Sequence, residues 1–166
     1  MPDDEQYRLD KQQARRCFNA AASTYDEAAE LQYEIGDRML ERLDYVRLQP
    51  ARILDLGAGT GHFSAALLKR YRKADIVALD IAPAMLEQTR ARGGWLRKPA
   101  CVCADAEHLP FNDDSFELIF SNLMLQWCLD IDSAFAELQR VLRPGGLLLF
   151  STFGPDTLKA VSYTHL

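Results

Sequence analysis

The first part of the chain has the hydrophobic spacing of helices. Apolar residues recur every three or four positions through residues 10–46, for example at Phe18 and Tyr25. This spacing predicts helices that each bury one face. Two helices joined near residues 23–26 account for the pattern, and we therefore predict an N-terminal helical segment over residues 1–46.

Beyond residue 46, short apolar runs alternate with helical patterns. Five runs have the length of buried strands: ARILDLG, DIVALD, ACVCAD, FELIFSN and GLLLFSTF, the last entered through the turn Pro144-Gly145-Gly146. Helical patterns are present in HFSAALLKRYRK, APAMLEQTRAR and IDSAFAELQRVL. Strands that alternate with helices predict the α/β class. We expect a doubly wound parallel sheet of about five strands with helices on both faces.

Chain length and composition fit one domain of this kind. The chain has 166 residues, of which 48% are hydrophobic, and this is enough for one buried core. We predict that residues 47–160 form the α/β core, which is incomplete. Residues 161–166 show no capping or periodic pattern and are too few for another strand and helix, so we interpret them as a truncated or non-native tail.

Charge and hydropathy exclude several function classes. A formal net charge of −5 argues against a nucleic-acid partner, which needs a concentrated basic surface. The chain has no apolar run of about 20 residues and no apolar leader, so we predict no membrane contact and a cytoplasmic location. Its cysteines lack a metal-binding spacing, and we expect buried thiols and no metal at Cys17, Cys101, Cys103 and Cys128.

The stretch ILDLGAGTGHF ends a predicted strand in three alternating glycines: Gly57, Gly59 and Gly61. Glycines at this edge of a parallel sheet let a ligand approach the backbone. The pattern alone suits a dinucleotide, a nucleoside or a tight turn. A dinucleotide fingerprint would place a glycine where this chain has His62. Asp55 would repel a pyrophosphate but suit an ammonium or sulfonium group.

Two further acids end the next two predicted strands. Asp80 can accept both hydroxyls of a ribose, as in dinucleotide sites. Asp105 can accept the amino group of adenine while the backbone N–H of Ala106 donates to a ring nitrogen. With Asp55, three successive strands end in a carboxylate. A ligand with a cationic amino-acid end, a ribose and an adenine is S-adenosylmethionine, which we predict as the cofactor.

The motifs as a set resemble those of the class I S-adenosylmethionine-dependent methyltransferases. The similar stretches are ILDLGAGTGHF, ALDIAPAMLEQTR, CADAEHLPF, FELIFSNLMLQW and LQRVLRPGGLLLFSTF, within residues 50–153. The resemblance implies a Rossmann-like core that binds the methyl donor. The donor-site positions that we assign on this basis, in addition to Asp55 and the three glycines, are Asp80, Ile81, Met85, Asp105, Ala106 and Asn122.

Three more stretches resemble the malonyl-acyl-carrier-protein O-methyltransferases of biotin synthesis: KQQARRCFNAAASTYDEAAELQ, SNLMLQWCLDIDSAFAELQRVLRPGG and FSTFGPDTL. This resemblance implies methyl transfer to the free carboxylate of a malonyl thioester, with malonyl-acyl-carrier protein as the partner. It places Tyr25 near the transferred methyl group and Gln126 and Trp127 on the acceptor side. The acceptor carboxylate is ionised at neutral pH, so orientation and water exclusion suffice without a general base.

Three alternatives stay open from the residues alone. Another small-molecule methyltransferase could act on a quinone precursor or on aconitate. An NAD-binding oxidoreductase would also use an acid at Asp80, although His62 and Asp55 count against it. A nucleoside-binding module without catalysis is the third.

Members of the resembled fold have seven strands, and the biotin-synthesis family carries a helical lid after FGPDTL. We therefore expect the carrier-protein contacts and a carboxylate-binding arginine to lie outside this chain. We also expect the 166-residue chain to bind the donor weakly or not at all and to be inactive, because an unpaired fifth strand leaves an exposed edge. The sequence predicts no particular oligomeric state.

Overall fold

The computed structural model describes residues 10–154, and the predicted tail at residues 161–166 lies outside this range. The N-terminal segment forms three helices: α1 (Lys11–Ala21), α2 (Tyr25–Ala28) and α3 (Glu30–Arg42), the last followed by a short 3-10 helix. The expected break near residues 23–26 is present between α1 and α2. A second break follows because the backbone leaves helical geometry at Ala29, so the prediction of two helices was wrong.

The α/β core follows in chain order. Its elements are β1 (Arg52–Leu56), α4 (His62–Arg70), β2 (Asp75–Asp80), α5 (Pro83–Arg92), β3 (Ala100–Cys103), β4 (Phe116–Asn122), a 3-10 helix (Leu125–Trp127), α6 (Ile131–Val141) and β5 (Leu142–Ser151). All strand pairs are parallel, in the order β3-β2-β1-β4-β5. This order confirms the predicted doubly wound sheet. It also puts the change of winding direction between β1 and β4, where such sheets bind ligands.

The helices cover both faces of the sheet, as predicted. On one face α3 and α4 contribute Met39, Phe63 and Leu67, which pack on Ile53 and Ile76. Helix α5 lies on the same face. On the other face α6 and the segment before β4 cover the alternate strand positions, among them Leu54, Val77 and Ile119. Because neighbouring strand residues point to opposite faces, each central strand is buried on both sides.

Helix starts are fixed by polar groups, some of them distant in sequence. The carboxylate of Asp10 accepts the backbone N–H of Gln12 at 2.8 Å and caps α1. Helix α5 has Pro83 in its first turn and is capped from outside, because the side chain of Asn19 on α1 accepts the N–H of Ala84 at 2.9 Å. This bond ties the N-terminal segment to the core.

The connection from β3 to β4 departs from the predicted alternation. Residues 104–115 contain no helix, although every other connection in the core does. The guanidinium of Arg140 on α6 donates to the carbonyl oxygens of Leu109 and Phe111 at 3.0 and 2.7 Å. A side chain thus satisfies carbonyl groups that a helix would otherwise pair.

Strand β5 begins earlier than predicted. It starts at Leu142, directly after α6, instead of after the turn at residues 144–146. Leu142 pairs with Phe116, whereas the next pair joins Leu147 to Leu118, so residues 143–146 bulge out of the ladder. The bulge has Gly145 at φ +79°, a conformation that favours glycine. The predicted turn is therefore an irregularity inside the strand.

Two predictions about the whole chain can be compared with the structure for residues 10–154. No helix in this range is long and apolar enough to cross a membrane. The cysteines are all free, but Cys17 and Cys103 are exposed and Cys101 and Cys128 are only partly buried. The expectation of buried thiols was therefore wrong, because α1 and β3 each turn one face to solvent.

Candidate functional site

A cleft opens at the carboxyl ends of the central strands, beneath the N-terminal helices. It brings together eleven of the residues that the sequence analysis assigns to a donor or acceptor site: Tyr25, Gly57, Gly59, Asp80, Ile81, Met85, Asp105, Ala106, Asn122, Gln126 and Trp127. Asp55 and Gly61 do not line the cleft, and their contact with a ligand stays a prediction. Lys11, Phe18 and Gln32 line it as well, although the sequence analysis did not assign them.

The glycine loop is built by backbone geometry. The N–H groups of Gly57 and Ala58 both donate to the carbonyl of Leu79, at 2.8 and 3.0 Å, which continues the β1–β2 pairing into the loop. Gly59 has φ +55°, and a Cβ built on it would meet nothing within 4 Å. The loop therefore leaves open space beside Gly59 on the wall of the cleft.

Gly61 has a different reason for being glycine. It begins α4 with φ +82°, and a Cβ there would lie 2.8 Å from Cα of Thr89 on α5. The hydroxyl of Thr89 also donates to the carbonyl of Gly59 at 2.9 Å. Gly61 thus permits the close packing of α4, α5 and the loop instead of facing the cleft.

Asp80 is held by two backbone groups at the end of β2. Its carboxylate accepts the N–H of Gly59 at 2.9 Å and that of Ala82 at 2.8 Å. Burial raises the pKa of Asp80, and these backbone hydrogen bonds oppose the rise. A carboxylate has about four acceptor positions, so this side chain can still accept hydroxyl groups from the cleft.

Asp55 is buried behind the loop. Its side chain accepts a hydrogen bond from the hydroxyl of Ser64 on α4 at 2.5 Å. Burial raises the pKa of Asp55 to about 7, the bonds from Ser64 act against this, and the charge of Asp80 adds to it. The hydroxyl partner of Asp55 thus lies on α4, the helix that follows the glycine loop.

Asp105 forms an ion pair that the sequence analysis missed. The ammonium of Lys11, in the first turn of α1, lies 2.6 Å from Oδ2 of Asp105 and 2.7 Å from Oε1 of Glu107. Burial acts to raise the pKa of both carboxylates, but the hydrogen bonds and the charge of Lys11, together with hydrogen bonds from backbone N–H groups, outweigh it and lower both pKa values. Since Lys11 and Asp105 are 94 positions apart, no local spacing could have indicated this pair.

A second charged contact joins the N-terminal segment to the glycine loop. Asp26, next to Tyr25, accepts hydrogen bonds from the hydroxyls of Tyr33 and Thr60 and pairs with Arg92 at the end of α5. Arg92 also donates to the carbonyl of Thr60 at 3.0 Å. Thr60 lies between two glycines of the loop, so the Asp26–Arg92 pair holds the loop through both the hydroxyl and the carbonyl of Thr60.

The aromatic side of the cleft comes from distant segments. The ring of Phe18 on α1 meets that of Trp127 edge-on, with centroids 5.1 Å apart. Tyr25 also lines the cleft, and burial raises its pKa, with further contributions from the charges of Asp80 and Asp26. Tyr25 is therefore a neutral hydroxyl at physiological pH. Such a group can donate a hydrogen bond but does not act as a base.

Asn122 forms hydrogen bonds with α3 and with β5. Its amide donates to the carbonyl of Gln32 on α3 at 2.8 Å, and its carbonyl accepts the hydroxyl of Ser151 on β5 at 2.8 Å. It therefore joins α3 to the sheet while lining the cleft. His62, the residue that interrupts the dinucleotide pattern, stacks on Tyr33 with centroids 4.0 Å apart.

Comparison with known proteins gives a consistent picture. A family profile described as a methyltransferase domain matches residues 54–150. A malonyl-[acyl-carrier protein] O-methyltransferase of Halorhodospira halophila is 58% identical over 150 residues, which are 90% of this chain and 51% of that protein. The protein with the same name from a Methylovorus species is 54% identical and covers 92% of this chain and 54% of its own length. The chain thus spans about half the length of the curated relatives it matches.

A solved structure supports the fold. The S-adenosylmethionine-dependent methyltransferase of Mesorhizobium loti matches with a TM-score of 0.57 and 33% identity, over 63% of this chain and 47% of that protein. The strand order and the position of the cleft agree with the Rossmann-like core that the sequence analysis predicts.

Proposed function

The chain belongs to the methyltransferase-domain family, and from this premise we propose that its cleft binds S-adenosylmethionine as a methyl donor. One observation carries the proposal. Asp80 and Asp105, at the ends of neighbouring strands, face the same cleft as the open position beside Gly59. Asp80 suits the hydroxyls of a ribose, Asp105 suits the amino group of an adenine, and the open position beside Gly59 leaves room for an extended amino-acid chain.

The residues of the cleft fit this donor. Asp80 would accept the ribose hydroxyls, because both its oxygens keep free acceptor positions beside their backbone donors. Asp105 and the N–H of Ala106 would hold the polar edge of adenine. The side chains of Met85 and Ile81 would cover the ring. When bound, the donor supplies an activated methyl group on its sulfonium.

The acceptor side is proposed from the same premise. We propose that the complete protein methylates the free carboxylate of malonyl-acyl-carrier protein, which is the reaction named for the two relatives. Tyr25, Gln126 and Trp127 would orient the acceptor and exclude water. An ionised carboxylate needs no general base, and the neutral hydroxyl of Tyr25 agrees with a positioning role. The cytoplasmic location stays a prediction.

The donor is tested by calorimetric titration of the 166-residue chain with S-adenosylmethionine, S-adenosylhomocysteine and NAD. We expect heat of binding with S-adenosylmethionine and with S-adenosylhomocysteine, and none with NAD. Asp80→Asn should weaken this binding at least tenfold, because a carbonyl replaces one of two charged acceptors. Asp75→Asn is the matched control, since Asp75 is exposed at the opposite end of β2. Preferential binding of NAD would contradict the proposed donor.

The strength of binding tests a separate expectation. A tight complex with the 166-residue chain would contradict the prediction that this chain binds the donor weakly, without affecting the proposed donor itself. The acceptor is tested in a chain extended to the length of the relatives. Methylation of a quinol precursor or of a small free acid, without methylation of malonyl-acyl-carrier protein, would show that the proposed acceptor is wrong.

A further inference from the structure

One ammonium group bridges two carboxylates, of which one lines the cleft and the other does not. Lys11 contacts Asp105 on the donor side and Glu107 two residues further along, at 2.6 and 2.7 Å. The side chains of Lys11 and Glu107 are 18% and 8% exposed, so solvent screens this contact less than a surface pair. Within the described residues, Lys11 is the side chain that touches both carboxylates.

Glu107 in turn holds the segment on the acceptor side. Its Oε1 accepts the backbone N–H of Leu129 at 2.6 Å and that of Asp130 at 3.1 Å, in addition to the ammonium of Lys11. These two amides lie between the 3-10 helix that carries Gln126 and Trp127 and the first turn of α6. One carboxylate oxygen therefore anchors the chain that follows the proposed acceptor residues.

Asp105 divides its oxygens between the same neighbours. Its Oδ1 accepts the N–H of Glu107 at 3.0 Å, and its Oδ2 meets Lys11. Burial acts to lower the pKa of Lys11, but hydrogen bonds to the two carboxylates outweigh it and raise that pKa. The ammonium thus stays charged at neutral pH and is shared by Asp105, which lines the cleft, and Glu107, which holds the segment after the 3-10 helix.

We propose that Lys11 is a positioning residue that couples donor binding at Asp105 to the acceptor-side segment at residues 125–130. This inference rests on the proposed function. An adenine amino group that donates to Asp105 competes with Lys11 for that carboxylate. Lys11 then pairs with Glu107 alone, which fixes the orientation of the carboxylate that accepts the amides of Leu129 and Asp130. The coupling is reciprocal, so an ordered acceptor segment also favours the donor.

The experiment measures amide hydrogen exchange in the 166-residue chain, with and without S-adenosylhomocysteine above its dissociation constant. In the wild type we expect the ligand to slow exchange at Leu129 and Asp130 about fivefold or more, the lower range of coupling between sites. Lys11→Met should bind the ligand without this change, and Lys11→Arg should restore it, because a guanidinium can bridge two carboxylates. Arg38→Met, which removes an exposed ion pair with Glu34, is the matched control.

The outcomes separate this inference from the proposed function. If neither the 166-residue chain nor a chain extended to the length of the relatives binds S-adenosylmethionine or its product, the proposed function fails. If the wild type binds them while exchange at Leu129 and Asp130 is unchanged, or if Lys11→Met shows the full effect, the coupling is wrong. Glu107→Gln is a second variant that tests the coupling if Lys11→Met does not fold. Its amide oxygen can still accept both N–H groups, but it loses the ion pair and should abolish the response to ligand.

Discussion

The carboxylates beside the glycine loop (Asp55 and Asp80, the glycine-loop wall) and those in ion pairs that involve the N-terminal helices (Asp26 and Asp105, the helical wall) have opposite pKa shifts. On the glycine-loop wall, burial raises the pKa values of Asp55 and Asp80, and their partners are a hydroxyl and backbone N–H groups. On the helical wall, Asp26 and Asp105 each meet a cation, and their pKa values are lowered although burial opposes this. The pKa values of these acids thus shift in opposite directions, because Asp55 and Asp80 are deeply buried with uncharged partners whereas Asp26 and Asp105 are more exposed and each meets a cation.

The two walls also differ in how far apart their bonded residues are in the sequence. Asp80 bonds to Gly59, 21 positions away, whereas the ion pairs of the helical wall join residues 66 and 94 positions apart. Backbone bonds at the loop follow from the pairing of β1 with β2. The helical wall depends on ion pairs between side chains that are distant in the sequence.

The largest expected effect is a pH dependence at Asp55. Burial raises its pKa from the ordinary value of 3.8 to about 7, so the folded state binds a proton more tightly than the unfolded state. Stability from this group is complete below pH 4 and is lost as the pH rises to about 7. The difference in unfolding free energy between Asp55→Asn and the wild type should therefore grow in favour of the variant over this range. One pKa unit is about 1.4 kcal/mol, which limits the effect to about 4 kcal/mol.

Urea denaturation at a series of pH values measures this difference. Asp75→Asn is the control, because that side chain is exposed at the start of β2. If the difference in unfolding free energy stays constant between pH 4 and 7, Asp55 is ionised throughout this range. Its hydrogen bonds would then compensate for its burial.

A smaller effect distinguishes two glycines of the same loop. Gly61→Ala should destabilise the protein by about 3 kcal/mol, because it adds a left-handed backbone cost to a clash with Thr89. Gly59→Ala has the backbone cost alone, about 1 kcal/mol, since its Cβ enters open space. It should nevertheless weaken donor binding. Denaturation and calorimetry on both variants test this, and equal losses of stability would contradict the assigned packing role of Gly61.

The smallest effect concerns the ion pair of Asp26 with Arg92 on the helical wall. A double-mutant cycle with Asp26→Asn and Arg92→Gln should give a coupling energy of about 1 kcal/mol, because both side chains are partly exposed. The lowered pKa of Asp26 means that this contribution is present at neutral pH and is lost below about pH 4, opposite to Asp55. A coupling energy that does not decline in acid would show that the pair is not ionic.

The sequence anticipated the elements of the core better than their junctions. Periodicity located all five strands and the helices between them, since a buried strand or an amphipathic helix has a local pattern. It did not show that β5 bulges at Gly145 or that α2 and α3 separate at Ala29, because these details arise where a chain segment adapts to its neighbours. The helix-free connection before β4 depends in the same way on Arg140.

The sequence by itself determined the α/β class, the glycine loop and the acids at three strand ends. These features follow from residue spacing and from backbone conformations that glycine permits. The tertiary structure alone decided which acids face the cleft and what each one meets: a hydroxyl for Asp55, backbone amides for Asp80 and Lys11 for Asp105. The reason is physical. A charge state depends on burial and on partners that approach through space, and neither is encoded in the spacing of nearby residues.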